Sequence, residues 1–169
     1  GLTLDYGPFG FLEKFDPNFI CNHSDHSGRY AYARQPEIAY WNVSRLLLVL
    51  LPTLNLSDQF EYFLHLFAEN YHRIYTNIMA KKLGLISAEN PETHANHESI
   101  QALINAWLQL LYRQRVDYTR ANRALLFFES NMLDKKNITI PEILAREFAD
   151  QASLATFLIT YQNYFAMCF

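Results

Sequence analysis

A chain of 169 residues, half of them hydrophobic and 15% aromatic, is about one domain long and can bury a core, which excludes a disordered polypeptide. Its net charge of −3 and pI near 6.1 give no basic footprint at the whole-chain level, so no nucleic-acid partner is expected. The longest apolar run, Leu46–Leu51, falls far short of the roughly 20 residues that a membrane span needs, so no membrane partner is expected either.

Gly1-Leu2-Thr3-Leu4-Asp5 reads as a strand already under way, with no initiator Met and no charged-then-apolar leader, and marks the chain as a fragment of a longer protein. Residues 1–35 are loop-like, punctuated by the turn signals Gly7-Pro8, Gly10, Asp16-Pro17 and Ser27-Gly28. From residue 36 to 169 the pattern is helical: Gly is sparse and Leu, Ala, Glu, Gln and Arg are dense. Pro36 suits the first turn of a helix whose apolar residues are Ile38, Trp41, Leu46, Val49 and Leu50, and Pro52 should end it.

Ser57 or Asp58 should cap the next helix, with Glu61 at capping-box distance from Asp58. Its residues Phe60, Phe63, Leu64, Phe67, Tyr71, Ile74, Ile78 and Met79 recur at three and four positions as one apolar stripe, and Gly84 stops it. A polar hairpin, Ser87–Asn96, precedes a helix that buries Ile100, Leu103, Ile104, Trp107, Leu108 and Leu111. Asp117-Tyr118-Thr119 restarts a helix through Ala121, Leu125 and Phe128, and a Lys135-Lys136-Asn137 loop follows. Pro141 opens a helix to about Phe148, and a last one from about Gln151 to Phe165 turns Leu154, Phe157, Leu158 and Tyr161 inward. The predicted architecture is mostly α: about six helices, residues 36–169, behind an irregular head, residues 1–35.

Chemistry concentrates in Thr3-Leu4-Asp5-Tyr6-Gly7-Pro8-Phe9-Gly10. An Asp that ends a strand and precedes X-Gly is how protein kinases hold magnesium: the strand fixes the carboxylate and Gly lets the chain swing away. A hard cation bridging nucleotide phosphates wants such an oxygen ligand. Read alone, Asp-Tyr-Gly is also compatible with a plain turn after an edge strand. Gln35-Pro36-Glu37 begins a helix some thirty residues later, where a kinase activation segment would rejoin its helical lobe at an Ala-Pro-Glu-like element.

The string Leu4-Asp5-Tyr6-Gly7-Pro8-Phe9-Gly10-Phe11, then Ile20 to Tyr32 (Ile-Cys-Asn-His-Ser-Asp-His-Ser-Gly-Arg-Tyr-Ala-Tyr), then Gln35-Pro36, resembles the selenoprotein-O family of kinase-like protein adenylyltransferases. The likeness is close over residues 1–45, with a weaker block at Val116-Asp117-Tyr118-Thr119 and Arg123-Ala124-Leu125. It implies the helical lower part of a protein-kinase-like lobe, and a parent enzyme that moves AMP from ATP to Ser, Thr or Tyr hydroxyls of protein substrates with Mg2+ or Mn2+. Asp5 aligns with the family's second metal-binding residue, which also touches the nucleotide. The resemblance implies that the family's catalytic Asp and a neighbouring metal-binding Asn belong to a motif just upstream of Gly1, with the phosphate-contacting Lys and Arg further upstream, and that the missing amino-terminal lobe of the same chain is this segment's partner. The fragment alone is therefore expected to be inactive, and bacterial cytoplasm and mitochondrion both suit the family.

Other readings stay open. Cys21, His23, Asp25 and His26 offer metal ligands within six residues, with His94 and His97 as a distant second pair; hydrogen bonding that shapes the loop, anchored by Arg29, is the structural alternative. Tyr62, Phe63, Phe67, Tyr71 and Tyr75 are expected in the core, and Arg113, Arg115, Arg120 and Arg123 on a solvated helix face. Cys21 and Cys168 make no disulfide framework and point to a reducing, intracellular setting; no role is assigned to Cys168. A helical interaction module with a vestigial kinase-like head, and a conventional protein kinase, are the rival functions.

Overall fold

The computed structural model describes residues 12–21, 23–85, 97–128, 133–134 and 137–168. Within them the apolar periodicity resolves into α1 (Gln35–Thr53), α2 (Phe60–Lys82), α3 (His97–Gln114), α4 (Tyr118–Leu125), α5 (Glu142–Ala145) and α6 (Gln151–Cys168). Single 3-10 turns, Tyr32–Arg34 and Ser57–Gln59, lead into α1 and α2. The strands β1 (Leu133–Asp134) and β2 (Asn137–Ile138) pair antiparallel, Leu133 opposite Ile138. The chain is mostly helical, as its sequence predicts. It divides into two compact units, one of residues 1–11 and 16–75 and the other of residues 12–15 and 76–169.

Three helices stop by the same device. Asn55, Gly84 and Arg115 take φ of 56°, 67° and 54°. In each case the next amide reaches back to the carbonyl five residues earlier: Leu56 to Leu51, Leu85 to Ala80 and Val116 to Leu111. This left-handed stop satisfies carbonyls that would otherwise be orphaned, and an apolar residue follows the turn and packs inward. Leu85 and Val116 are buried. Gly84 was legible as a stop because only Gly takes that conformation without strain; Arg115 adopts it with buried Val116 after it, and Asn55, a residue type that tolerates the left-handed region, with half-buried Leu56 after it.

The second unit holds a dry core between α3 and α6. Ile104, Trp107 and Leu111 from α3 and Leu154 and Leu158 from α6 are all fully buried. The Trp107 ring lies 5.0 Å from that of Phe157 and 5.7 Å from that of Phe148. Its indole N–H donates to Asn122 Oδ1 at 3.2 Å, so the one polar atom of the largest core residue is satisfied. Asp117 caps α4 by accepting from the Arg120 amide at 2.8 Å. Asp150 does the same for α6, accepting from the amides of Ala152 and Ser153, while its own amide and carbonyl are clamped by the Gln114 side chain. Buried Thr76 donates to Gln101 at 3.0 Å. The Tyr161 hydroxyl donates to the Leu83 carbonyl, and burial pushes its pKa up to about 12.

Several expectations are corrected. The α2 stripe is not one buried face: Leu64 and Met79 are buried, but Tyr71, Ile74 and Ile78 are exposed, and so is Tyr62. Leu46, Val49 and Leu50 of α1 are exposed as well. Helical spacing states which side of a helix is apolar, and a neighbouring element decides whether that side is covered. Helix α1 runs one residue past Pro52, to Thr53. Neither Ser57 nor Asp58 opens α2 as a side-chain cap; both sit in the 3-10 turn before it, whose own flanking residue, Leu56, is apolar. Leu108 is only partly buried whereas Leu110 is buried, and α5 ends at Ala145. Asn137, expected as the last residue of a Lys135-Lys136-Asn137 loop, instead opens β2; the β1–β2 pairing was not legible, since two residues carry no alternation. The Ser87–Asn96 hairpin lies outside the described residues.

Two stability tests follow from these contacts. Gly84→Ala should cost about 1–2 kcal/mol through its left-handed φ alone, because an added Cβ meets nothing nearer than the Tyr161 hydroxyl at 3.6 Å; Arg115→Gly should instead stabilise, by up to about 1 kcal/mol. Equal effects of the same sign in denaturant melts would refute this account of the helix ends. Because the Tyr161 hydroxyl has its pKa raised on folding, its contribution is complete below pH 10 and is lost as pH rises toward about 12. Tyr161→Phe should therefore lower stability at pH 7 by about 1 kcal/mol and flatten the loss above pH 10 relative to the parent sequence.

Candidate functional site

The residue singled out for metal binding, Asp5, lies outside the described residues, as does Asn22. The described part of the site is the loop that follows Asp5 in sequence, residues 12–34. Its beginning is pinned to the helical unit by an antiparallel bridge between Lys14 and Asp117. The Phe15 amide donates to the Val116 carbonyl at 3.0 Å and the Tyr118 amide donates to the Glu13 carbonyl at 2.8 Å. Phe15 is buried and stacks on Tyr118 at 5.8 Å. Residues 13–15 thus meet residues 116–118 through backbone hydrogen bonds.

Further along, the loop is shaped by Asp25. One carboxylate oxygen accepts from the Arg29 amide at 2.9 Å and the other from the Tyr30 amide at 2.7 Å. The Tyr30 amide above all, with Arg29 and the Ser27 hydroxyl, holds the Asp25 carboxyl below its ordinary range. Backbone bonds from Tyr32 to Phe19 (2.9 Å) and from Ala33 to Pro17 (2.8 Å) close the loop on itself. It then enters α1, where Pro36 occupies the first turn and Glu37 supplies an acidic residue favourable to the helix dipole.

Of the suspected metal cluster, Cys21 is half-buried and free, and His23 and His26 are exposed. The Asp25 carboxylate is committed to backbone amides. Among the described residues no group of three His, Cys, Asp or Glu side chains is placed to hold a metal ion. His94 lies outside the described residues, and His97 opens α3. Among the described residues Arg29 makes no side-chain hydrogen bond; its guanidinium lies over the Trp41 ring at 4.8 Å and the Tyr30 ring at 5.7 Å. Arg34 makes the hydrogen bond, to the Gly28 carbonyl at 3.4 Å. Arg45, which sequence reasoning passed over, lies 5.1 Å from the Trp41 ring; the four-residue spacing of Trp41 and Arg45 on a helix is the signal that could have found it. The arginines at 113, 115, 120 and 123 are exposed, and Arg120 pairs with Glu147 at 2.7 Å.

The family model described as "Protein adenylyltransferase SelO" matches residues 1–168. A protein nucleotidyltransferase YdiU of Aliivibrio fischeri is 41% identical over 138 residues, 82% of this chain and 26% of that protein. The mitochondrial protein adenylyltransferase SelO-1 of Danio rerio is 45% identical over 125 residues, 74% of this chain and 17% of its own length. The YdiU of Thiobacillus denitrificans is 38% identical over 161 residues, 95% of this chain and 30% of its own. The chain thus spans less than a third of each of these relatives.

Removing the Asp25 carboxylate should loosen the loop without touching the helices. Hydrogen exchange at the Arg29 and Tyr30 amides should quicken in Asp25→Ala while α3 and α6 keep their protection. In the parent sequence that protection should persist above the ordinary Asp pKa of 3.8 and fade only as pH drops through the lowered value, since a depressed carboxyl stabilises the state in which it is ionised. Unchanged exchange in the variant would mean that the backbone bonds alone shape the loop.

Proposed function

Since the chain belongs to the SelO family of protein adenylyltransferases, we propose that its full-length parent transfers AMP from ATP to Ser, Thr or Tyr hydroxyls of proteins, with Mg2+ or Mn2+ held in part by Asp5. The observation that carries this reading is the family match over residues 1–168, which includes Asp5 and the whole loop after it. An aspartate carboxylate is a hard oxygen donor of the kind a phosphate-bridging cation takes. Such a cation supplies neutralisation of the charge that builds on the phosphates.

In the transfer, the substrate hydroxyl oxygen attacks the α-phosphorus in line. The new O–P bond forms as the bond to the bridging oxygen breaks, pyrophosphate leaves, and the hydroxyl proton passes to a base. The family resemblance puts that base, an Asp, upstream of Gly1. Asp5 would contribute charge and position. The segment alone is then inactive, and its amino-terminal lobe is its first partner. Relatives named from bacteria and from a fish mitochondrion support bacterial cytoplasm or mitochondrion as the setting. No helix among the described residues is long and apolar enough to cross a membrane.

The test uses the full-length parent with ATP labelled at the α-phosphate and, separately, at the γ-phosphate. Protein should take up the α-label only, and Asp5→Ala should cut that uptake by at least about a hundredfold, the several kcal/mol that a misplaced cation forfeits. Uptake of the γ-label would make the protein a conventional kinase, and full activity in Asp5→Ala would remove Asp5 from the site.

A further inference from the structure

Arg29, Tyr30, Trp41 and Arg45 form a cationic, aromatic surface where the loop meets α1. Trp41 is 43% exposed and Tyr30 46% exposed, so neither ring serves the core. Two guanidiniums, those of Arg29 and Arg45, lie within about 5 Å of the same indole ring. Stacking on a ring uses the flat face of a guanidinium and leaves its in-plane N–H donors free to engage a carboxylate in paired fashion. Neither arginine has an ion-pair partner among the described residues. Asp25, the acid nearest in sequence to Arg29, is spent on the Arg29 and Tyr30 amides and the Ser27 hydroxyl. The surface therefore carries uncompensated positive charge on a rigid base: the Asp25 clip, the 3-10 turn and the first turns of α1 hold all four residues in place.

We propose that this surface docks an acidic segment of the protein substrate; the word substrate rests on the adenylyltransferase reading, while the docking does not. An extended chain places alternate side chains on one side roughly 7 Å apart, so successive carboxylates at that spacing can meet two arginines grouped on one ring. The exposed Tyr30 and Trp41 rings give such a segment apolar contact between its charges. Charge complementarity selects an acidic partner, and the planar, bidentate geometry favours carboxylates.

Binding would be measured on the full-length protein without nucleotide, by fluorescence anisotropy of a labelled short peptide of alternating Glu and Ser; a matched peptide of Gln and Ser serves as control. The Glu peptide should bind and weaken with added salt, and the Gln peptide should bind at least about tenfold more weakly. Arg45→Ala should weaken the Glu peptide about threefold, Arg45→Glu about tenfold or more, and Arg45→Lys should fall between the parent and Arg45→Ala. Equal binding of the two peptides would overturn the proposal. So would unaltered binding in Arg45→Glu, or displacement of the peptide by pyrophosphate or by a single-stranded oligonucleotide at lower concentration than by unlabelled Glu peptide. Because the assay contains no ATP, a failure of adenylyl transfer leaves its outcome untouched.

Discussion

The backbone bridge between Lys14 and Asp117 is the constraint on which the site depends. Two amide–carbonyl bonds, Phe15 to Val116 and Tyr118 to Glu13, tie the segment that follows Asp5 to the turn between α3 and α4. Every part of that turn is fixed by something else. Val116 is drawn inward by the left-handed stop at Arg115, Asp117 is held as the cap of α4, and Tyr118 is stacked on Phe15. Each bond is modest by itself, but a chain held at both backbone groups and at a buried ring has few ways to depart. Residues 13–15 thus take their position from the turn that joins α3 to α4.

The loop beyond the bridge follows a different logic. It has little apolar burial of its own, Ala31 being its one fully buried residue after Phe15 among the described ones. Its shape comes instead from polar bookkeeping: Asp25 gathers amides that no helix or strand would satisfy, and Tyr32 and Ala33 close back on Phe19 and Pro17. A carboxylate ionised at any physiological pH is well suited to that role, since amide donors favour its charged form. The cluster of Cys21, His23, Asp25 and His26 is for this reason better described by what Asp25 does to the backbone than by its count of metal ligands.

The protein chemistry expected of the family needs both a nucleotide site and a way to meet a protein. Under the proposed function, Asp5 would belong to the first. The cationic aromatic surface at the junction of loop and α1 has the character of the second, because its two arginines lie over one ring and have no acidic partners among the described residues. The exposed apolar residues of α1 and α2 are a third feature of the same region, consistent with a segment that spans less than a third of its relatives.

By itself the sequence determined the helices, most of their ends, most of the inward residues of α3 and α6, and the family likeness. Periodicity and punctuation are local, and a literal string of residues is more specific still, so these need no knowledge of what lies opposite. Tertiary structure decided what depended on a partner. It uncovered much of the α2 stripe, placed Thr76 inside because Gln101 meets it, and bent Asn55 and Arg115 into a glycine-like turn because Leu56 and Val116 follow. It also joined residues 13–15 to 116–118 and set Arg45 beside Arg29 on one indole. Contacts between residues so far apart in sequence carry no local signature, because a hydrogen bond or a stacked cation is specified by where two segments meet and by nothing in either segment alone.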